Sequence, residues 1–290
     1  MKTRTWLVVP VVAALLGVAC QSAHTQPSQK PQVIPVPQDE TVRGSGKAVP
    51  AQGESTPAMQ APAPETATGT KRTSYNSCNV DGPYIALTFD DGPHATLTPK
   101  LLDILKEKGV KVTFFVLGEC VAANPGVLQR AAAEGHEIGN HSWDHKALTK
   151  GGGAGVASEI NQTNAAIESA IGRKPTLVRP PYGATNAAIT KRLNEEFGLK
   201  VIMWDVDPLD WKVRNSAHVK AEILKSTKPG SIVLSHDIHP TTIEAMAETI
   251  DALKEKGFKF VTVSELVAMD RPLPPVTPPP TPAATKKAKK

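Results

Sequence analysis

Two hydrophobic patterns alternate through the middle of the chain, and neither continues into its ends. Short apolar runs of strand length recur at 84–89, 111–117, 136–139, 176–179, 199–204, 231–235 and 259–262. Between them, apolar residues fall at the three-and-four spacing of amphipathic helices, over 98–108, 125–134, 156–171, 186–197, 216–227 and 241–256. Gly109, Gly135, Gly172, Gly198 and Gly257 each stand just past a predicted helix, where a left-handed residue closes the last turn. Seven β/α units of this size predict a single α/β domain built as a barrel. An open doubly wound sheet would need a switch-point crevice and usually a phosphate loop. No such loop is visible: Gly151-Gly152-Gly153-Ala154-Gly155 lacks the spacing, and Gly44-Ser45-Gly46-Lys47 precedes the patterned region.

Proline sets the limits of that domain. Of 26 prolines only ten fall in 75–270, while eight lie in 21–74 and seven in 271–290. The stretch 21–74, rich in Gln, Pro, Ala, Ser and Thr, cannot bury enough apolar surface to fold and reads as a disordered tether. A flexible chain of that length reaches on the order of 40 Å. The stretch 271–290 reads as a proline-rich tail ending in Lys286, Lys287, Lys289 and Lys290, suited to weak adhesion to an anionic wall or membrane surface. Before the tether, Lys2 and Arg4 precede an apolar run from Trp6 to Ala19 that is short for a bilayer span, the pattern of an export leader occupying 1–20. Leu15-Leu16-Gly17-Val18-Ala19-Cys20 resembles a lipoprotein processing site, with its leucine four residues before the cysteine instead of three. Lipidation of Cys20 therefore stands beside plain cleavage near Ala19 or Ala23. The expected location is the periplasm or cell envelope, with membrane attachment through Cys20.

The charge follows the same division. The whole chain carries +5, yet 75–270 holds 21 Lys/Arg against 24 Asp/Glu. The high isoelectric point thus belongs to the ends, and a mildly acidic core argues against nucleic acid as a partner.

Chemistry enters at Ile85-Ala86-Leu87-Thr88-Phe89-Asp90-Asp91-Gly92-Pro93, an apolar strand that delivers two adjacent carboxylates to a Gly-Pro stop. Two unpaired carboxylates at the ligand-binding rim of a parallel α/β fold would repel, so they call for a cation or a division of labour. Fifty residues on, His141-Ser142-Trp143-Asp144-His145 offers two imidazoles four positions apart, and imidazole with carboxylate is the donor set of a catalytic zinc. One aspartate would bind the metal and the other accept a proton.

Three further stretches follow: Arg179-Pro180-Pro181-Tyr182-Gly183, Asp207-Pro208-Leu209-Asp210-Trp211 and Leu234-Ser235-His236-Asp237. In order and spacing, the five together closely resemble the polysaccharide deacetylases of carbohydrate esterase family 4, over residues 80–268. The resemblance implies a distorted β/α barrel and a hydrolase that removes N-acetyl groups from a cell-wall polysaccharide, acting as a monomer. It implies Asp91, His141 and His145 as ligands of one divalent metal ion, zinc first, with cobalt, nickel and manganese as alternatives. Asp90 is then the general base, aligned by Arg179, and the backbone N–H of Tyr182 helps hold the oxyanion. His236 is the general acid, charged by Asp210, with Asp207 the alternative for that role. Trp211 and Leu234 would wall the acetyl pocket, and Pro181 and Tyr182 would line the substrate site. Peptidoglycan is the leading substrate, through its N-acetylglucosamine or N-acetylmuramic acid units. Acetylated xylan, chitooligosaccharides and a non-catalytic wall-binding role are the alternatives.

The other histidines carry less. His136 on a strand reads as packing, and His94 and His239 as rim residues. Ser235-His236-Asp237 cannot form a triad, because neighbours on a strand face opposite ways. Cys78 and Cys120 flank the first two strands at opposite ends, which leaves a disulfide open, since bonding needs Cα atoms within about 7 Å.

Overall fold

The structure, a computed structural model, describes residues 72–271. The leader, Cys20, nearly all of the tether and the lysine-terminated tail lie outside the described residues. In chain order the elements are β1 (Ser74–Tyr75), β2 (Tyr84–Asp90), α1 (Leu97–Lys108), β3 (Thr113–Val116), α2 (Gly118–Ala123), α3 (Pro125–Ala133), β4 (Glu137–Asn140), α4 (Gly152–Ile171), β5 (Leu177–Val178), α5 (Ala187–Glu195), β6 (Lys200–Ile202), α6 (Ser216–Ser226), β7 (Ile232–Val233), α7 (Pro240–Glu255), β8 (Lys259–Phe260) and α8 (Val263–Ala268). All seven predicted strands and six predicted helices are present. The five glycines expected past helices all adopt positive φ.

The strands are parallel, in the order β1-β6-β5-β4-β3-β2-β7, with β8 also paired to β2. β2 is the hub, joined to β3, β7 and β8. The ring is incomplete: the end strands β1 and β7 share no ladder, and only isolated bridges, Ser77 with Ser231 and Val206 with Val233, span the opening. This is the barrel expected from the alternation, in the distorted (β/α)7 form that the resemblance implies.

Alternation along β2 divides the core. Ile85, Leu87 and Phe89 pack outward in a cluster that includes Leu101, Leu105, Met246 and Ile250 of α1 and α7. Ala86 belongs to a second cluster with Phe115, Leu177, Ile202 and Ile232. Thr88 and Asp90 continue Ala86's side of the strand, so the same two-residue period that builds the core carries Asp90 to the inner face.

Three short elements depart from the expected pattern. β1 pairs with β6, so Ser74, assigned to the tether, belongs to the sheet, and the carbonyl of Thr73 just before it accepts the N–H of Val201 at 3.1 Å. Arg72 and Asp270 form an ion pair at 3.0 Å that joins the two ends of the described chain. α2 and α8 are one to two turns long, too short for a periodic signal, although α8 opens with a capping box between Thr262 and Glu265. Cys78 and Cys120 are not joined by a disulfide. Among the described residues no helix is long and apolar enough to cross a membrane.

Candidate metal centre and its flanking pairs

The five sequence stretches converge at the carboxyl ends of the strands. Asp91 follows β2 directly, and His141 follows β4. His141 Nε2 and His145 Nε2 each lie 3.5 Å from Asp91 Oδ1, and one ligand atom from each of the three residues falls within 4.8 Å of the others. The Nδ1–H of His141 donates to the Arg179 carbonyl at 2.6 Å, which turns Nε2 toward Asp91. Asp91 Oδ1 is buried and has no hydrogen-bond partner. An orphaned buried carboxylate oxygen facing two imidazole nitrogens is the donor set a divalent cation completes, so the residues fit the metal. Burial pushes the Asp91 carboxyl up, against the neighbouring His141, and pushes both imidazoles down.

The loop carrying the imidazoles is fixed from outside. Asn140 accepts the N–H of Ser142 at 2.7 Å while donating to Ile160 and Asn164 of α4. Glu159 of α4 accepts the N–H of Trp143 at 2.8 Å. Among the described residues, the non-glycine residues with positive φ are Asp91, Ser142, His145, Tyr182 and Leu209, at 76°, 70°, 63°, 60° and 54°. All five lie in the stretches singled out from sequence. Each such residue costs about 1 kcal/mol or more, and this cost is concentrated at the site.

Two charge pairs flank the centre. On one side Arg179, fully buried, donates Nη1 to Asp90 Oδ1 and to Thr88 Oγ1, both at 2.7 Å. Its remaining nitrogens reach the carbonyls of Ile202 and Met203, and its guanidinium lies 4.2 Å from the Phe115 ring centroid. Asp90 Oδ2 stands 3.7 Å from His141 Nε2. On the other side Asp210 accepts both the ring Nδ1–H of His236, at 2.7 Å, and its backbone N–H, at 2.8 Å. Thr242 adds a third bond to Asp210 at 2.7 Å. Burial alone would lower the His236 pKa, but the hydrogen bond and charge of Asp210, with Asp90 and Asp91 beyond, push it up to about 9. The alternative partner Asp207 accepts the N–H of Leu209 at 2.8 Å and builds the turn instead.

The remaining expected site residues are distributed unevenly. Tyr182 is 72% exposed and stacks edge-on to His145 at 4.4 Å between ring centroids. Trp211 is half exposed, whereas Leu234 and Pro181 are buried. Ser235 is buried and donates to the Leu234 carbonyl, away from any triad. His136 accepts the N–H of Val112 and packs edge-on to Phe114. His94 accepts the N–H groups of Thr96 and Leu97 at the start of α1, and the His239 ring lies 5.7 Å from that of His236. A cavity of about 830 Å3 adjoins the centre, sharing His145 and Tyr182 with it and lined further by Lys146, Lys150, Ser158 and Glu159.

Sequence reasoning missed Asn140, Glu159 and Thr242, and it used Asp237 only to reject a triad. Asn140 precedes His141 directly and was findable as the residue that aims it. The others sit on helices or behind the site with no spacing signal.

The chain belongs to the polysaccharide deacetylases of carbohydrate esterase family 4. The polysaccharide deacetylase family profile matches residues 78–202. The chain is 37% identical over 188 residues to a peptidoglycan-N-acetylglucosamine deacetylase of Bacillus cereus, covering 63% of this chain and 87% of that one. It is 49% identical over 182 residues to peptidoglycan-N-acetylglucosamine deacetylase PgdA of Listeria monocytogenes, where the match covers 63% of this chain but only 38% of the relative's length. The structure of peptidoglycan deacetylase PdaC from Bacillus subtilis superposes with a TM-score of 0.62 at 41% identity, over 65% of this chain and 92% of that one.

Proposed function

We propose that this chain is a metal-dependent N-deacetylase of cell-wall polysaccharide, acting on the N-acetylated sugars of peptidoglycan. The observation that carries the reading is the orphaned Asp91 Oδ1 facing His141 and His145, with a carboxylate held by arginine on one flank and an imidazole held by aspartate on the other. Asp91, His141 and His145 would hold the metal, for which zinc suits the donor set best. When bound, the ion supplies Lewis-acid charge to an otherwise unreactive amide carbonyl.

The chain's own residues divide the proton work. Asp90 is the general base, and Arg179 keeps one of its oxygens occupied so that the other is presented to the site. His236 is the general acid that gives a proton to the departing sugar nitrogen, which an amide needs because its amine leaves poorly. Asp210 keeps that imidazole charged and holds Nδ1, which leaves Nε2 for the site. The Tyr182 backbone N–H is assigned to the oxyanion, supported by its left-handed turn beside His145. Leu234 is assigned as wall for the acetyl methyl, while Trp211 and the exposed Tyr182 ring offer apolar faces to the sugar. The cavity beside His145 takes the neighbouring sugar unit. Export and attachment through Cys20 complete the reading, supported by the leader pattern and by the wall substrates of the relatives.

Acetate release from purified peptidoglycan, chitooligosaccharides and acetylated xylan tests this directly. The expected result is metal-dependent release that is fastest from peptidoglycan. Release from none of the three overturns the enzymatic reading, and faster release from xylan or chitooligosaccharide overturns the substrate.

A further inference from the structure

Asp237 follows His236 directly, is fully buried, and has no part in the chemistry above. Its Oδ2 accepts the hydroxyl of Thr98, in the first turn of α1. That hydroxyl in turn accepts the backbone N–H of His94 at 2.7 Å. Its Oδ1 is buried without a hydrogen-bond partner.

The carboxyl lies against Gly92. A Cβ placed on Gly92 would stand 2.6 Å from Asp237 Oδ1 and 2.7 Å from its Cγ. The φ of Gly92 is not in the left-handed region, so backbone freedom does not explain a glycine there. The Asp237 carboxyl fills the space a side chain would take. Gly92 is the next residue after Asp91, whose backbone is held at φ 76°. The Asp91-to-His94 turn is thus fixed at two points, by the carboxyl packed on Gly92 and by the Thr98 hydroxyl on His94.

We propose that Asp237 is a positioning residue for Asp91, a buried wedge that sets the backbone from which Asp91 Oδ1 reaches the metal. This rests on Asp91 being a metal ligand, as read above. Asp237 touches neither substrate nor metal in this role. Its shape and its bond to Thr98 matter, and its charge does not.

The test is zinc affinity of the full chain, measured by competition with a chromophoric chelator, with thermal unfolding of the metal-free protein run alongside. Asp237→Ala is expected to weaken zinc binding by about 10- to 100-fold, the range typical of residues that orient metal ligands. Asp237→Asn keeps the volume and an acceptor for Thr98, so it is expected to restore binding to within a few-fold of wild type. Gly92→Ala is expected to weaken zinc binding as strongly as Asp237→Ala. In the Asp237→Ala background, where the methyl has room, the same change should cost far less, a coupling that general destabilisation does not produce. Wild-type zinc affinity in Asp237→Ala, no rescue by Asp237→Asn, or additive effects of the Gly92 and Asp237 changes would each overturn the proposal. A wild-type chain that binds no zinc, or an Asp91→Asn chain that binds it normally, overturns the ligand assignment itself and the proposal with it.

Discussion

Both flanks of the metal centre join a carboxylate to a cationic side chain at 2.7 Å, and they use the pair in opposite senses. On the Asp90 side the cation is hidden: Arg179 is fully buried, bound to two main-chain carbonyls and a threonine, and the carboxylate faces the site. On the His236 side the carboxylate is hidden: Asp210 is fully buried and takes three bonds, and the imidazole faces the site. Arg179 holds one oxygen of Asp90 and leaves the other to the site, and Asp210, itself held by three donors, pushes the His236 imidazole up. On the roles proposed above, one interaction type, inverted, would supply a base and an acid on either side of one cation site.

The largest effect should come from breaking the Asp90 side. Asp90→Asn removes the base and leaves the ligands, so turnover is expected to fall by about 10² to 10⁴ with zinc content unchanged. Asp91→Asn should lose zinc and activity together. Metal analysis and rate on the same preparations check the split, and an Asp90→Asn protein without zinc would reverse the two roles. Removing the hidden cation acts on the fold as well. Arg179→Ala leaves Asp90 buried without its partner, a change that typically costs about 3–5 kcal/mol, to be read from urea unfolding.

The His236 side is sharpened by pH. Its imidazole is pushed up to about 9, from an ordinary value of 6.5. The acid stays charged through neutral pH, and turnover is expected to fall as pH rises through about 9. Because the folded-state pKa is the raised one, the pair's contribution to stability is complete below pH 6.5 and fades over the same rise to about 9. Asp210→Asn removes the charge that opposes burial, so the alkaline limb of kcat should move down toward or below 6.5 while zinc stays bound. A limb still near pH 9 in that variant would assign it to another group.

How much of this was legible follows from what each signal requires. Asp90 and Asp91 announce themselves because they end an uninterrupted apolar strand, and His141 and His145 because four-residue spacing and imidazole chemistry coincide. The barrel was legible because seven apolar runs of strand length alternate with segments of helical period. β1, α2 and α8 were not, because Ser74-Tyr75 lies in no apolar run and six-residue helices are too short for a helical period. The opening between β1 and β7 depends on backbone pairing that no residue type reports. Supports that act across the fold were hidden for another reason. Glu159 holds the imidazole loop from the middle of α4, and Thr98 meets Asp237 from 139 positions away. Each looks ordinary in its own neighbourhood, and only the fold brings it under the site.

The smallest expected effect separates two carboxylates three residues apart. Sequence left Asp207 and Asp210 as alternatives for charging His236, and the two differ in what they accept. Asp210 takes the imidazole and its backbone N–H, while Asp207 takes the N–H of Leu209, a residue at φ 54° whose turn leads the chain back to Asp210. Asp207→Ala therefore removes one local hydrogen bond and no charge from the acid, at a cost of about 0.5–1.5 kcal/mol in urea unfolding. The alkaline limb should remain near pH 9, and kcat should change by less than the loss in Asp210→Asn. If Asp207→Ala instead shifts the limb downward as far as Asp210→Asn does, the turn and the charge are not separable, and the hidden carboxylate on that flank is a pair of residues acting together.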